Sequence, residues 1–207
     1  MAELQYQVNP PTTTYPQGTV QLQSGDPNGS AFVSEIHGKY YQAARNGSLN
    51  RALVTGKTIP AVTSAVVGVF AFVNPAGSNV NAEIVATTLG LTATATAVTF
   101  GWYWTNIATN VPTSPTAITS IAGKVGLSQT PLCTAYSALT CATGITPVLA
   151  ALVGAQQSTS ALQATTFEVS HDGRLIVPPG IGIWLCGSAA GPTSGAAASI
   201  DWVEWPV

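Results

Sequence analysis

The sequence predicts an all-β protein, a sandwich or closed barrel of short antiparallel strands. Apolar, β-branched and aromatic runs of strand length recur along it. Gly, Pro, Ser and Asn turns separate those runs, and helical periodicity is nearly absent. At 207 residues the chain is long enough for one core burying about 70% of its unfolded surface, and all-β sandwiches of this size commonly form one domain. No tandem repeat of about 20–50 residues is visible, which disfavours a solenoid or propeller.

Residues 1–34 form an extended N-terminal arm. Pro10, Pro11 and Pro16 remove backbone donors and favour extended chain, and the GDPNG run at 25–29 is rich in turn residues. Leu4, Tyr6, Val8, Tyr15, Val20 and Leu22 punctuate the arm with apolar side chains that a purely solvated tail would not need. These residues are the candidate partner-binding set, for docking on a neighbouring subunit, the alternative being a disordered terminus. The single domain then occupies 35–207. In 35–53, Tyr40, Tyr41 and Ala44 share a partial helical spacing with Ile36, and Asn46-Gly47 ends the turn, so at most one short helix is expected.

Beyond it the period changes. Residues 66–73 (VVGVFAFV) are a continuous apolar run closed by Asn74-Pro75, the pattern of a strand buried on both faces. A second strand covers 82–91. In 96–104, Val98, Phe100, Trp102 and Trp104 alternate with Thr99, Gly101 and Tyr103, the period of two that marks a strand. Residues 105–120 read as a Pro/Thr/Ser connection. The stretch 121–164 is the least legible, with 145–153 suited to a strand or a short helix. FEVSH and RLIV flank Asp172-Gly173, the signal for a two-residue hairpin turn. Pro178-Pro179-Gly180 then turns the chain before a strand at 181–186, a small-residue loop and a last strand at 198–205.

Only 7% of residues are charged, against about 25% in ordinary soluble domains. Hydrophobic residues reach 46% and mean hydropathy is +0.31. A free monomer is normally kept soluble by a mixed charged surface, so this composition points to an assembly component covered by other copies or other proteins. Net charge is −2 and the six Lys and Arg are scattered, leaving no basic stripe for nucleic acid. The longest apolar stretch, 61–73, is interrupted by Thr63, Ser64 and Gly68 and is shorter than the roughly 20 residues of a spanning helix, so no membrane partner is expected. Residues 1–20 lack a basic segment followed by an apolar one, and the expectation is a protein made in a cytoplasm.

Chemistry is thinly provided. His171 lies between Ser170 and Asp172, but consecutive strand residues alternate in direction and do not converge as nucleophile, base and acid. A surface or turn position is expected for it. Cys133 and Cys141 lack structural zinc spacing; they and Cys186 are expected as free, partly buried thiols, with a local Cys133–Cys141 pairing across eight residues as the alternative. Asp201 and Glu204 differ by an odd step, and a pair formed by Glu168 and Glu204 across neighbouring strands has nothing to single it out. No phosphate-binding glycine loop occurs. The expectation is therefore no enzyme, no catalytic or metal residues and no cofactor. The aromatic set Trp102, Tyr103, Trp104, Trp184, Trp202 and Trp205 suits a core or subunit interface better than a sugar-stacking platform.

The closing sequence, DGRLIVPPGIGIWLCGS, a small-residue loop and SIDWVEWPV, resembles the jelly-roll cement or decoration proteins on the exterior of tailed-bacteriophage heads. A strand, a PPG turn, a strand, a loop and a Trp-rich strand also resemble the end of trimeric viral and TNF-like jelly rolls. The resemblance is specific over about residues 165–207. It implies a jelly-roll-like β-sandwich, a homotrimer, and the major capsid protein as partner, with the arm clasping a neighbour. The implied location is the virion, on the capsid exterior, after assembly in the host cytoplasm. The alternative is a receptor- or glycan-binding head-fibre or tail-tip domain that uses Trp102 or Trp202.

Overall fold

The computed structural model describes residues 5–7, 20–22, 40, 43–44, 47–62, 67–68, 70–91, 98–107, 113–123, 130–140, 148–156, 165–188 and 195–207. The chain divides into two units, Met1–Gln42 and Ala43–Val207. In the first, β1 (Gln5–Gln7) pairs antiparallel with β2 (Val20–Leu22).

The second unit opens on a helical turn at Ala43 and Ala44. The Gly47 and Ser48 amides donate back to the Ala44 and Ala43 carbonyls, which ends the turn where Asn46-Gly47 predicts. The remaining strands are β3 (Leu49–Lys57), β4 (Val67–Gly68), β5 (Ala71–Asn74), β6 (Val80–Leu91), β7 (Val98–Asn106), β8 (Thr113–Ala117), β9 (Ile121–Ala122), β10 (Thr134–Thr140), β11 (Val148–Gln156), β12 (Thr165–Ser170), β13 (Ile176–Val177), β14 (Ile181–Gly187) and β15 (Ala196–Pro206).

One sheet runs β12-β6-β15-β3-β9, with β13 also on β6. The other runs β11-β7-β14-β5-β10-β4, with β8 also on β10. Within them β3 pairs with β15, β5 with β14, β6 with β12 and β7 with β11. Those pairs nest, first strand with last and inward to the middle, which is the strand order of a jelly-roll sandwich. The remaining strands of this unit, β4, β8, β9, β10 and β13, extend this frame.

The two inner faces meet in a core of Phe70, Phe72, Phe100, Trp102, Ile183 and Leu185 against Val54, Ile84, Leu89, Ile200 and Trp202. Phe72 meets Trp202 edge-on, with ring centroids 5.0 Å apart. The larger sheet is apolar on its outer face too, where Ala71, Val73, Leu139, Trp184 and Cys186 form a second buried cluster. All four residues of β5 are buried, so the double-faced burial predicted for this region holds there.

Three expectations need correction. The predicted strand at 66–73 is two strands, β4 and β5. The predicted connection at 105–120 carries β8, whose Pro115 is tolerated because, among the described residues, β8 pairs on one side only, with β10. The predicted hairpin around Asp172-Gly173 is not a hairpin. Its turn exists, with Asp172 at φ 45°, Gly173 at φ 79° and the Arg174 amide donating to His171 O. Yet β12 and β13 both pair with β6, Ser170 opposite Ala86 and Ile176 opposite Glu83. The turn is a pinched excursion from one line of pairing. Twelve residues of β6 offer a longer template than β12 and β13 offer each other.

Candidate interaction surface

Strand β11, with sequence VLAALVGAQ, carries no charge and, among the described residues, pairs with β7 alone. Its register shifts between Leu149 and Ala151 and again between Leu152 and Gly154, so two bulges bend it. At the Gly154 end the sandwich closes, because Gly154 lies directly under the Phe167 ring of β12 and has no room for a Cβ. At the Val148 end the edge opens. There the pinched turn displaces the chain between β12 and β13, and a cleft of about 350 Å³ lies among Trp104, Ala150, Leu175, Ile176, Pro178 and Ile181.

Large apolar side chains of β7, β11 and β13 are exposed. Leu152 is 54% exposed, Ile176 53%, Val148 51%, Leu149 49% and Trp104 39%. Val148 stands opposite Trp104 across the strand pair, and Leu149 lies over Gly101. Among the described residues, no charged side chain lines the cleft. On the smaller sheet's side Glu168 of β12 and Asp172 and Arg174 of the turn are exposed, whereas Glu83 and Glu204 are engaged elsewhere. Glu83 accepts the Trp205 indole N–H at 2.9 Å. Glu204 accepts the Cys133 and Leu132 amides at 2.8 and 3.0 Å and the Trp202 indole at 3.2 Å, which fastens the segment before β10 to β15. A surface of this kind excludes water well once covered.

The residues singled out from sequence are placed as follows. Tyr6 lies in β1, and Val20 and Leu22 in β2, with Tyr6 opposite Gln21, Val20 opposite Gln7 and Leu22 opposite Gln5. Leu4, Val8, Tyr15, His37 and Cys141 lie outside the described residues. His171 belongs to a turn, as predicted, but it is buried rather than on the surface. Its Nε2 lies 3.0 Å from Thr87 Oγ1, which also accepts the Trp102 indole N–H at 3.0 Å. Burial holds the His171 pKa below its ordinary value, Arg174 lowers it further and Asp172 opposes them.

Cys133 and Cys186 are free and buried, and burial pushes the Cys186 thiol up to about 12. Burial raises Cys133 as well, with Glu204 adding to it. Both are inert packing residues at neutral pH. Glu168 and Glu204 are not brought together. Their strands flank β6 on opposite sides, Glu168 level with Thr88 and Glu204 with Ala82. Asp201 instead holds Arg51 bidentately at 2.6 Å on the outer face of the smaller sheet. No three His, Cys, Asp or Glu residues gather into a metal site among the described residues. No described helix is long and apolar enough to cross a membrane.

Trp102, Trp184 and Trp202 are fully buried, while Trp104 and Trp205 are partly exposed. The sugar platform considered at Trp102 or Trp202 therefore has no open ring face. Sequence reasoning missed Val148, Leu149, Leu152 and Ile176 as surface residues. A usable signal was present, since residues 125–167 contain no Asp, Glu, Lys or Arg and any face they form is uncharged. No family model, curated protein or solved structure matches the chain.

Proposed function

We propose that this chain is a structural, non-enzymatic assembly protein of the cement or decoration kind, which binds the outside of a phage head as a homotrimer and stiffens the shell. The observation that carries the reading is the exposed, uncharged edge of β11 in a chain with 7% charged residues. Such a surface gains free energy when covered, at roughly 25 cal/mol per Å² of apolar area, and it holds no group suited to turning over a substrate. The jelly-roll frame and the closing strands agree with the sequence resemblance. In this reading the arm, residues 1–34, contacts a neighbouring subunit. Several weak arm contacts per trimer then add through effective concentration.

The test has two parts. Light scattering on the size-exclusion peak should give three times 21.1 kDa, and a monomer at micromolar concentration would overturn the trimer. The purified protein should also co-sediment with phage heads stripped of decoration, and absence from the pellet would overturn the cement role. Loss of co-sedimentation after deletion of residues 1–30 assigns the arm to that contact, and unchanged binding removes the arm from it.

A further inference from the structure

We propose that the turn from Ser170 to Leu175 is an acid-released latch on the edge of the smaller sheet, held shut by the neutral His171 ring and freed when that ring takes up a proton. The latch needs no partner, so it stands whether or not the assembly reading does. Three observations carry it.

The first is backbone geometry. Ser170 stands opposite Ala86 and Ile176 opposite Glu83, so residues 171–175 face only Ile84 and Val85 of β6. Among the described residues, the backbone bonds that hold them run from the His171 amide to Val85 O at 2.9 Å, from the Arg174 amide to His171 O at 2.8 Å and from the Ile84 amide to Leu175 O at 2.9 Å. Beyond them β13 adds only Ile176 and Val177. On its other side β6 is irregular at the same point, where its register with β15 steps from Asp201–Ala86 to Trp202–Ile84 and passes over Val85. A segment held this lightly opens apart from the rest of a fold.

The second is the anchor. His171 is 5% exposed, although Asp172 and Arg174 beside it are exposed. Its Nε2 lies 3.0 Å from Thr87 Oγ1, the acceptor of the Trp102 indole N–H in the core. At the far end of the turn Leu175 belongs to the same core. The ring and Leu175 therefore pin the two ends of the excursion.

The third is charge. The Thr87 hydroxyl can accept from the ring or donate to it, so protonation leaves that bond possible and changes only the charge. A cation is costly in this buried place and well hydrated once the turn swings out. On the turn itself Arg174 opposes the cation and Asp172 favours it, and burial with Arg174 outweighs Asp172. On β6, Glu83 Oε2 accepts the Trp205 indole and Oε1 lies beside Gly173. On β12, Glu168 stands level with Thr88, one residue from Thr87 and so on the sheet's other face. On β15, Asp201 holds Arg51.

The experiment is hydrogen exchange on the full chain at pH 7.5 and 5.5, with rates corrected for the chemical effect of pH. The His171, Arg174 and Ile84 amides report on the latch, and those of β15 on the rest of the sandwich. The latch amides should exchange faster than those of β15, at rates that about 0.5 M urea leaves unchanged, as local opening requires. Acid should lower their protection by about three- to tenfold, tenfold being the limit at pH 5.5 for a group that titrates near 6.5 when released. His171→Gln can still hydrogen-bond Thr87 but takes no proton, so its latch amides should be equally protected at both pH values. Circular dichroism checks that the variant is folded. Latch amides no faster than those of β15, a smaller fall in the wild type, or an equal fall in the folded variant would each overturn the proposal. Should the variant not fold, the wild-type His171 imidazole resonances decide. A titration midpoint below 6.5 is expected, and one at or above 6.5 would overturn the latch.

Discussion

Thr87 stands between two rings that both need its hydroxyl. The Trp102 indole donates to Oγ1, and His171 Nε2 shares a hydrogen bond with the same hydroxyl, which has both a proton to give and a second lone pair to offer. Thr87→Val keeps the shape and removes both bonds. It strands a buried indole N–H, so a loss of about 1–3 kcal/mol is expected in urea unfolding, and a loss under 0.5 kcal/mol would refute the network. The same site makes stability depend on pH. Burial, first, and Arg174 hold the folded pKa of His171 below the ordinary 6.5, so the native state binds fewer protons than the unfolded chain. The contribution is complete above pH 6.5 and is lost as pH falls below it. The urea midpoint should be lower at pH 5.5 than at 7.5, and His171→Gln should flatten that difference. An equal slope in both proteins would exclude His171 as its source. None of this was legible locally. The partner of His171 is 84 positions away, and a histidine next to Asp-Gly carries the ordinary signature of an exposed turn.

Pattern alone defined β7 and β15 by their alternation and β14 by its unbroken apolar run, because a strand with one face in the core writes a period of two into the sequence and a strand buried on both faces does not. Segments whose position depends on a distant anchor were illegible. The loop before β10 is placed by Glu204, 71 and 72 residues further along the chain, and no local propensity records that. The Asp-Gly turn was read correctly as a turn and wrongly as a hairpin, since turn chemistry fixes the local reversal and β6 fixes the pairing. The edge formed by β11 depends on one small residue in the same way. Gly154→Ala forces a methyl into the Phe167 ring. The expected cost is about 1–3 kcal/mol of overpacking, seen as a lower melting temperature with unchanged secondary structure. A variant as stable as the wild type would mean that β12 yields freely and that this end of the edge is not closed by packing.

At the scale of the molecule, nested strand pairing ties the start of the sandwich to its end, as in the Arg51–Asp201 pair, which joins residues 150 positions apart. Composition cannot specify that order. It was legible only through the closing strands, whose spacing around Pro178-Pro179-Gly180 resembles the end of other jelly rolls. The scarcity of charge, by contrast, was legible from the start and has a thermodynamic consequence. If the β11 edge is covered only in the assembled state, folding and assembly are linked, and a more concentrated solution resists unfolding better. For a small closed oligomer, a hundredfold rise in concentration is worth about 2 kcal/mol per chain, which for a protein of this length is a gain of several degrees in melting temperature. Scanning calorimetry at two concentrations a hundredfold apart should therefore give two different midpoints for the wild type and one midpoint for Leu152→Glu. A single midpoint for both would mean that the exposed leucines contribute nothing beyond the monomer, and the missing charge would then need a cause other than self-assembly.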